Sequence, residues 1–137
     1  ICFFFEKEKI AFTGDTLFSL GCGRIFEGSH KQMLASLNKI KKFPKETKIY
    51  CGHEYTQKNA EFFIKYDNGN LNLSKHFQKI KKLRALNQPT VPSKLKDELK
   101  FNIFLRCDQK ELKVKLGMKN QEDFKVFKKV RDLKDSF

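Results

Sequence analysis

The sequence predicts an α/β fold in which residues 1–54 carry the strands and residues 55–137 are helical. Two observations predict it. Short Phe- and Ile-rich runs, broken by Gly-Asp and Gly-His, fill the first segment. Apolar residues at i, i+3/i+4 spacing run through the second. The length, 137 residues, suits one ordinary domain or two small pieces of domains. Hydrophobic residues make up 39% and include 15 Phe and no Trp, so a packed core is feasible and wholesale disorder is excluded. No apolar run approaches the roughly 18 residues of a membrane span, so no membrane partner is expected.

In chain order, residues 1–6 and 9–13 read as strands joined by a turn at Lys7 and Glu8. Gly14, Asp15 and Thr16 break the second strand. Gly21, Cys22 and Gly23 mark backbone that turns tightly or approaches a ligand. Ser29 and Gln32 form a capping box, followed by Met33, Leu34, Leu37 and Ile40 at helical spacing, with Pro44 as the stop. Lys48–Cys51 is a short strand closed by Gly52 and His53. Residues 55–66 form a helix with Phe62, Phe63 and Tyr66 on one face, stopped by Asn68, Gly69 and Asn70. Leu73, Phe77, Ile80 and Leu83 mark a second helix, and residues 88–92 a stiff loop. Ser93 is read as the N-cap of a short helix, and Asn120 as the cap of a last helix with Phe124, Phe127 and Val130 inward. There is no internal repeat.

The net charge is +13, with Arg supplied only by Arg24, Arg84, Arg106 and Arg131. Such a balance raises nucleic acid, anionic lipid or an acidic small substrate as partners, beside the plain reading of a solvated lysine surface. Nucleic-acid binding wants basic residues interleaved with exposed aromatics, whereas here most Phe fall at inward helical positions. Cys2, Cys22, Cys51 and Cys107 are widely spaced and read as free thiols of a reducing compartment, hence a cytoplasmic location.

Two strand ends carry chemistry-bearing side chains. A strand ending in Gly-Asp puts the Asp15 carboxylate at a sheet edge, where it can hold a metal or a water, or simply close an Asx-turn. A second strand ends in Gly-His, placing the His53 imidazole likewise, as a ligand or as a surface residue. The two together are more suggestive than either, yet a catalytic zinc wants three protein ligands and a water. Zinc on Cys22, Cys51 and His53 fits no structural spacing. There is no G-x-S-x-G, and no Walker or Rossmann phosphate loop. Arg131 and Lys134, at i, i+3 on the last helix, share a face that can clamp a carboxylate or stand as a solvated basic edge.

The runs F-T-G-D-T-L-F (12–18), G-C-G-R (21–24), F-E-G (26–28) and Y-C-G-H-E-Y-T (50–56), followed by P-T-V-P-S (89–93), Asn102, Phe104, Arg106, Arg131, Lys134, Asp135 and Phe137, resemble the glyoxalase II (hydroxyacylglutathione hydrolase) family of the metallo-β-lactamase superfamily. The resemblance covers nearly the whole chain in order. It implies the second half of a metallo-β-lactamase αββα sandwich over 1–54 and an all-helical, glutathione-binding C-terminal domain over 55–137. It implies an active site with two divalent metal ions, zinc first, with iron or manganese as alternatives. Asp15 matches the carboxylate that bridges both ions, and His53 a ligand of the second. The other ligands belong to a T-H-x-H-x-D-H motif and a further His that this sequence lacks, since its only histidines are His30, His53 and His76. The implied activity is hydrolysis of S-lactoylglutathione to D-lactate and glutathione. Implied glutathione contacts fall on Arg24, Phe26, Tyr55, Arg131 and Lys134. Arg24 stands where the family commonly has Lys, and Phe26 where it often has Tyr, so one hydroxyl contact is absent.

Ile1 opens directly into a strand without an initiator methionine. The expectation is therefore a fragment, inactive alone and without bound metal, with any targeting signal upstream of it. A half-sandwich exposes a sheet edge or an apolar face, which suits a homodimer or pairing with the missing N-terminal half. The alternatives are another thioesterase or a persulfide dioxygenase on the same sandwich, a non-catalytic remnant of it, and a basic nucleic-acid-binding module.

Overall fold

Period-two alternation decides how the first strands sit. In β2 (Ile10–Gly14) Ala11 and Thr13 are buried while Phe12 is exposed. The computed structural model describes residues 1–67 and 69–137. Asn68, read above as part of a helix stop, lies outside the described residues. β1 (Phe3–Phe5) pairs antiparallel with β2 across the expected turn, and β2 runs parallel to β5 (Lys48–Cys51). β6 (Ser93–Lys94) pairs antiparallel with β5, giving the order β1-β2-β5-β6. α1 (His30–Ile40) makes the crossover that a parallel pair requires. Its N-cap is Ser29, whose hydroxyl accepts from the Gln32 N–H, as the capping box predicts. One sheet face packs Phe4, Ala11 and Ile49 into the core. The other leaves Phe3, Phe5 and Phe12 60%, 49% and 46% exposed.

Between β2 and α1 lies a two-stranded hairpin of β3 (Leu17–Phe18) and β4 (Gly21–Cys22). Here the glycines serve contact rather than flexibility. A Cβ on Gly21 would stand 2.5 Å from Asn59 Nδ2, and one on Gly23 would stand 1.9 Å from the Asp15 carbonyl oxygen.

The helical part comprises α2 (Thr56–Tyr66), α3 (Leu71–Ala85), α4 (Leu95–Phe101), a 3-10 turn (Ile103–Leu105), α5 (Lys110–Lys115) and α6 (Asp123–Asp135). Phe62 and Phe63 of α2, Leu73 and Ile80 of α3, and Phe127 and Val130 of α6 are buried at the expected spacings. Two cap expectations are corrected. Ser93 does not cap α4: its backbone pairs with Ile49 in β6, and Lys94 takes the cap position without a side-chain bond. Asn120 does not cap α6, which starts at Asp123 with Glu122 before it. A backbone turn from Met118 O to Gln121 N occupies that stretch, and Lys113 pins it by donating to Gln121 O at 2.9 Å and pairing with Asp123 at 2.6 Å.

A buried ion network ties α2 to α5. Asp67, at the end of α2, accepts from Arg106 at 2.7 Å, Lys115 at 2.5 Å and Asn70 at 3.0 Å. Burial would push its carboxyl up, but the Lys115, Arg106 and Asn70 donors prevail and hold it below the usual carboxylate range. Among the described residues no helix is long and apolar enough to cross a membrane.

Candidate functional site

Because β2 and β5 are parallel neighbours, their C-terminal ends open on the same edge of the sheet, where ligands of such sheets sit. Gly14 leaves β2 at φ +48, a left-handed turn that glycine adopts freely, and delivers Asp15. Gly52 leaves β5, donates to Gly14 O at 3.0 Å and delivers His53. A Cβ on Gly52 would lie 2.7 Å from Asp15 Oδ1, so glycine here makes room for the carboxylate.

Asp15 Oδ1 and His53 Nε2 stand 3.6 Å apart, with 69% and 51% of their side chains exposed. That is beyond hydrogen-bond length and close to the roughly 3.3 Å that separates two donors on one tetrahedral ion with bonds of about 2.0–2.1 Å. The oxygen and nitrogen donors suit a divalent cation. The imidazole is held by packing: it stacks on Tyr55 at 4.9 Å and 15°, and Phe18 lies against both rings at 6.0 and 5.3 Å. Among the described residues no group of three His, Cys, Asp or Glu gathers around one point, so the pair is part of a ligand set rather than a whole one.

The pair opens onto a cleft of about 550 Å³. Arg24, Phe26, Tyr55, Arg131 and Lys134, all singled out from sequence, line it together with Asp15 and His53. They differ in what they are free to do. Arg131 is only 3% exposed; it donates to Cys22 O at 2.8 Å and to Asp135 at 3.0 Å, and lies over the Phe104 ring at 5.1 Å. Its guanidinium is committed to the fold, leaving a buried Nε without a partner. Arg24 reaches the same Asp135 at 3.3 Å but is largely exposed. Lys134 Nζ hovers over Phe62 and Phe137 at 5.1 and 5.0 Å and donates to Lys58 O at 3.4 Å. Burial, and then the charges of Arg131 and Lys58, push its ammonium down to about 8. Phe26 is 86% exposed at the rim.

Sequence reasoning missed Lys58, Asn59, Phe18 and Cys22 as cleft residues. Lys58 and Asn59 follow Tyr55 at i+3 and i+4, so extending its helix face would have found them. Cys22 is buried and its thiol is pushed up to about 12, mainly by desolvation, which makes it a packing residue rather than a nucleophile. Glu54, beside His53, accepts from the Thr90 N–H at 2.7 Å and from the Thr90 hydroxyl, which ties the loop at 88–92 to the end of β5.

The family described as "Hydroxyacylglutathione hydrolase C-terminus" matches residues 54–137, and the "Metallo-beta-lactamase superfamily" matches residues 1–53. Among curated relatives, the hydroxyacylglutathione hydrolase of Pelagibacter ubique is 50% identical over all 137 residues, covering 52% of that protein. Those of Chelativorans sp. and Methylococcus capsulatus are 49% and 44% identical over the same 137 residues, each covered to 54%. The chain thus spans about half the length of the curated relatives it matches. With metal-capable donors at the sheet edge of its first part and a cationic cleft closed by its second, the chain belongs to the hydroxyacylglutathione hydrolase family.

Proposed function

We propose that the full-length protein hydrolyses S-lactoylglutathione, a 2-hydroxyacyl thioester, to D-lactate and glutathione. One observation carries this reading: a single cleft joins the exposed Asp15–His53 pair to the cations of Arg24, Lys58 and Lys134, with buried Arg131 behind them. Glutathione has two carboxylates, and these cations attract both. Asp15 and His53 would hold part of a divalent metal centre, zinc first and iron or manganese next, since mixed nitrogen and oxygen donors suit all three. When bound, such ions supply a water acidic enough to be hydroxide near neutral pH and positive charge at the carbonyl oxygen. Exposed Arg24 and half-buried Lys134 take carboxylates of the substrate. Tyr55 orients His53 by stacking and offers its hydroxyl to the cleft. Phe26 adds apolar contact without a hydrogen bond. Arg131 holds the Cys22 carbonyl in place and adds charge from behind. The free thiols Cys2, Cys22, Cys51 and Cys107 fit a reducing compartment such as the cytoplasm.

The test is hydrolysis of S-lactoylglutathione by the full-length protein, with metal content read on the same sample. Turnover with metal bound is the expected result. Metal without turnover points to a different thioester or a persulfide, and neither points to a remnant. A pH dependence follows from Lys134. Its ammonium exists below about 8 and is lost above. KM for S-lactoylglutathione is therefore expected to rise as pH passes 8, with kcat unaffected, and Lys134→Ala to abolish the rise. A wild-type KM that stays flat through pH 8 contradicts this role.

A further inference from the structure

A hairpin with two residues per strand cannot hold its own shape. β3–β4 is held instead from the helical part, residue by residue. Asn102 Nδ2 donates to Gly21 O at 3.1 Å and to Phe18 O at 3.5 Å. Asn59 Nδ2 donates to Ser19 O at 3.1 Å. Glu98 Oε2 accepts from the Leu20 N–H at 2.9 Å and from Asn102 Nδ2 at 3.0 Å. Arg131 donates to Cys22 O. Every residue over 18–22 thus has a backbone polar group gripped by a side chain from beyond residue 54. Those side chains are buried: Asn59 is 5% exposed, Glu98 1%, Asn102 0% and Arg131 3%. Leu20, at the tip, is kept at φ +53, a left-handed conformation that a branched side chain adopts only when its surroundings impose it.

The hairpin in turn braces the Asp15 turn on both sides. Thr13 Oγ1 donates to Leu17 O at 2.7 Å, and Gly23 N donates to Thr16 O at 3.4 Å. Gly23 lies so close to Asp15 O that no Cβ fits between them. The His53 backbone follows β5 instead, and only its ring meets the hairpin, through Phe18 at 6.0 Å. A shift of the hairpin therefore moves the Asp15 carboxylate relative to the imidazole.

We infer that the helical part sets the Asp15–His53 geometry through this buried polar clamp, with Glu98 and Asn102 as positioning residues that touch neither donor. The inference rests on the reading of Asp15 and His53 as metal ligands. Glu98 is an expensive choice for mere packing: burial pushes its carboxyl up to about 6, against the hydrogen bonds that favour its charge. Its partners explain it, since Leu20 N–H and Asn102 Nδ2 both require an acceptor.

The test is Glu98→Leu in the full-length protein. Leucine fills the space but offers no acceptor, so Leu20 N–H and Asn102 Nδ2 lose the one oxygen they share. We measure kcat and KM for S-lactoylglutathione, and the visible absorption of the Co²⁺-substituted protein, which reports ligand geometry without turnover. A fall in kcat on the order of tenfold, the effect of supporting groups around metal ligands, is expected, with unchanged KM and a shifted cobalt band. Unchanged kcat and an unchanged band, even with a lower melting temperature, reduce the clamp to scaffolding and overturn the inference. Should Glu98→Leu not fold, Asn102→Ala removes the grip on Gly21 and Phe18 from outside the cleft and is read the same way. A wild type that binds cobalt but does not hydrolyse the thioester refutes the substrate reading, and the two cobalt spectra still decide the clamp. A wild type that binds no cobalt overturns both.

Discussion

Asp15→Ala in the full-length protein is expected to remove turnover by on the order of a thousandfold, well beyond the roughly 10–100-fold loss for a group that merely supports a ligand, while leaving the fold intact. The two halves of this expectation come from different observations. The carboxylate is 69% exposed and its contact with His53 is a long, solvated one, so its loss removes at most about 1 kcal/mol of stability. Alanine has no Cβ conflict at this position, because the close approaches of Gly23 and Gly52 are to the Asp15 backbone and carboxylate. What disappears is an oxygen donor at the sheet edge beside the imidazole. Metal content is expected to fall with activity, and the melting temperature of the metal-free protein to stay within a few degrees of wild type. Near-normal turnover in this variant would sink the assignment of Asp15.

Asp67→Asn is expected to have the opposite profile, costing about 3–5 kcal/mol of folding stability with no direct contact with the cleft. Arg106 has 5% of its side chain exposed, and without its anionic partner its charge is left buried and unpaired. The pH dependence follows from the lowered carboxyl of Asp67. A carboxyl lowered in the folded state contributes its stabilisation fully above the ordinary carboxylate range, and loses it as pH falls through the folded value. The gap in unfolding free energy between wild type and Asp67→Asn, read from urea titrations, is therefore widest at neutral pH and narrows as pH falls below the ordinary carboxylate range. A gap below about 1 kcal/mol at pH 7, or one that does not narrow in acid, would show that Arg106 is satisfied otherwise.

What could be read from sequence tracks how far each signal reaches along the chain. β2 and β5 were legible because their alternation ends at Gly-Asp and Gly-His, and this also put Asp15 and His53 at neighbouring exits. α1, α2 and α3 announced themselves by several apolar turns each. The β3–β4 hairpin did not, since two residues have no period, and its stability is lent by Glu98, Asn102, Asn59 and Arg131 from far along the chain. α5 was missed because only Leu112 of its residues is buried. Ser93 and Asn120 have the chemistry of caps, but sheet pairing and a lysine-pinned turn claimed their backbones first. The spacing of Arg131 and Lys134 showed a shared helix face. It could not show that the Cys22 carbonyl would occupy one guanidinium and leave the neighbouring ammonium over aromatic rings.

That division of labour limits how the cleft can be retuned. Arg131 serves the architecture and the local field with one group, so altering it to suit a differently charged ligand also loosens the Cys22 carbonyl and Asp135. Arg24, whose side chain is 61% exposed, carries no such double duty. Selection or engineering for a different ligand therefore has its freedom at the rim, with Arg24, Phe26 and Lys58, whereas the innermost charge is tied to the packing of the fold.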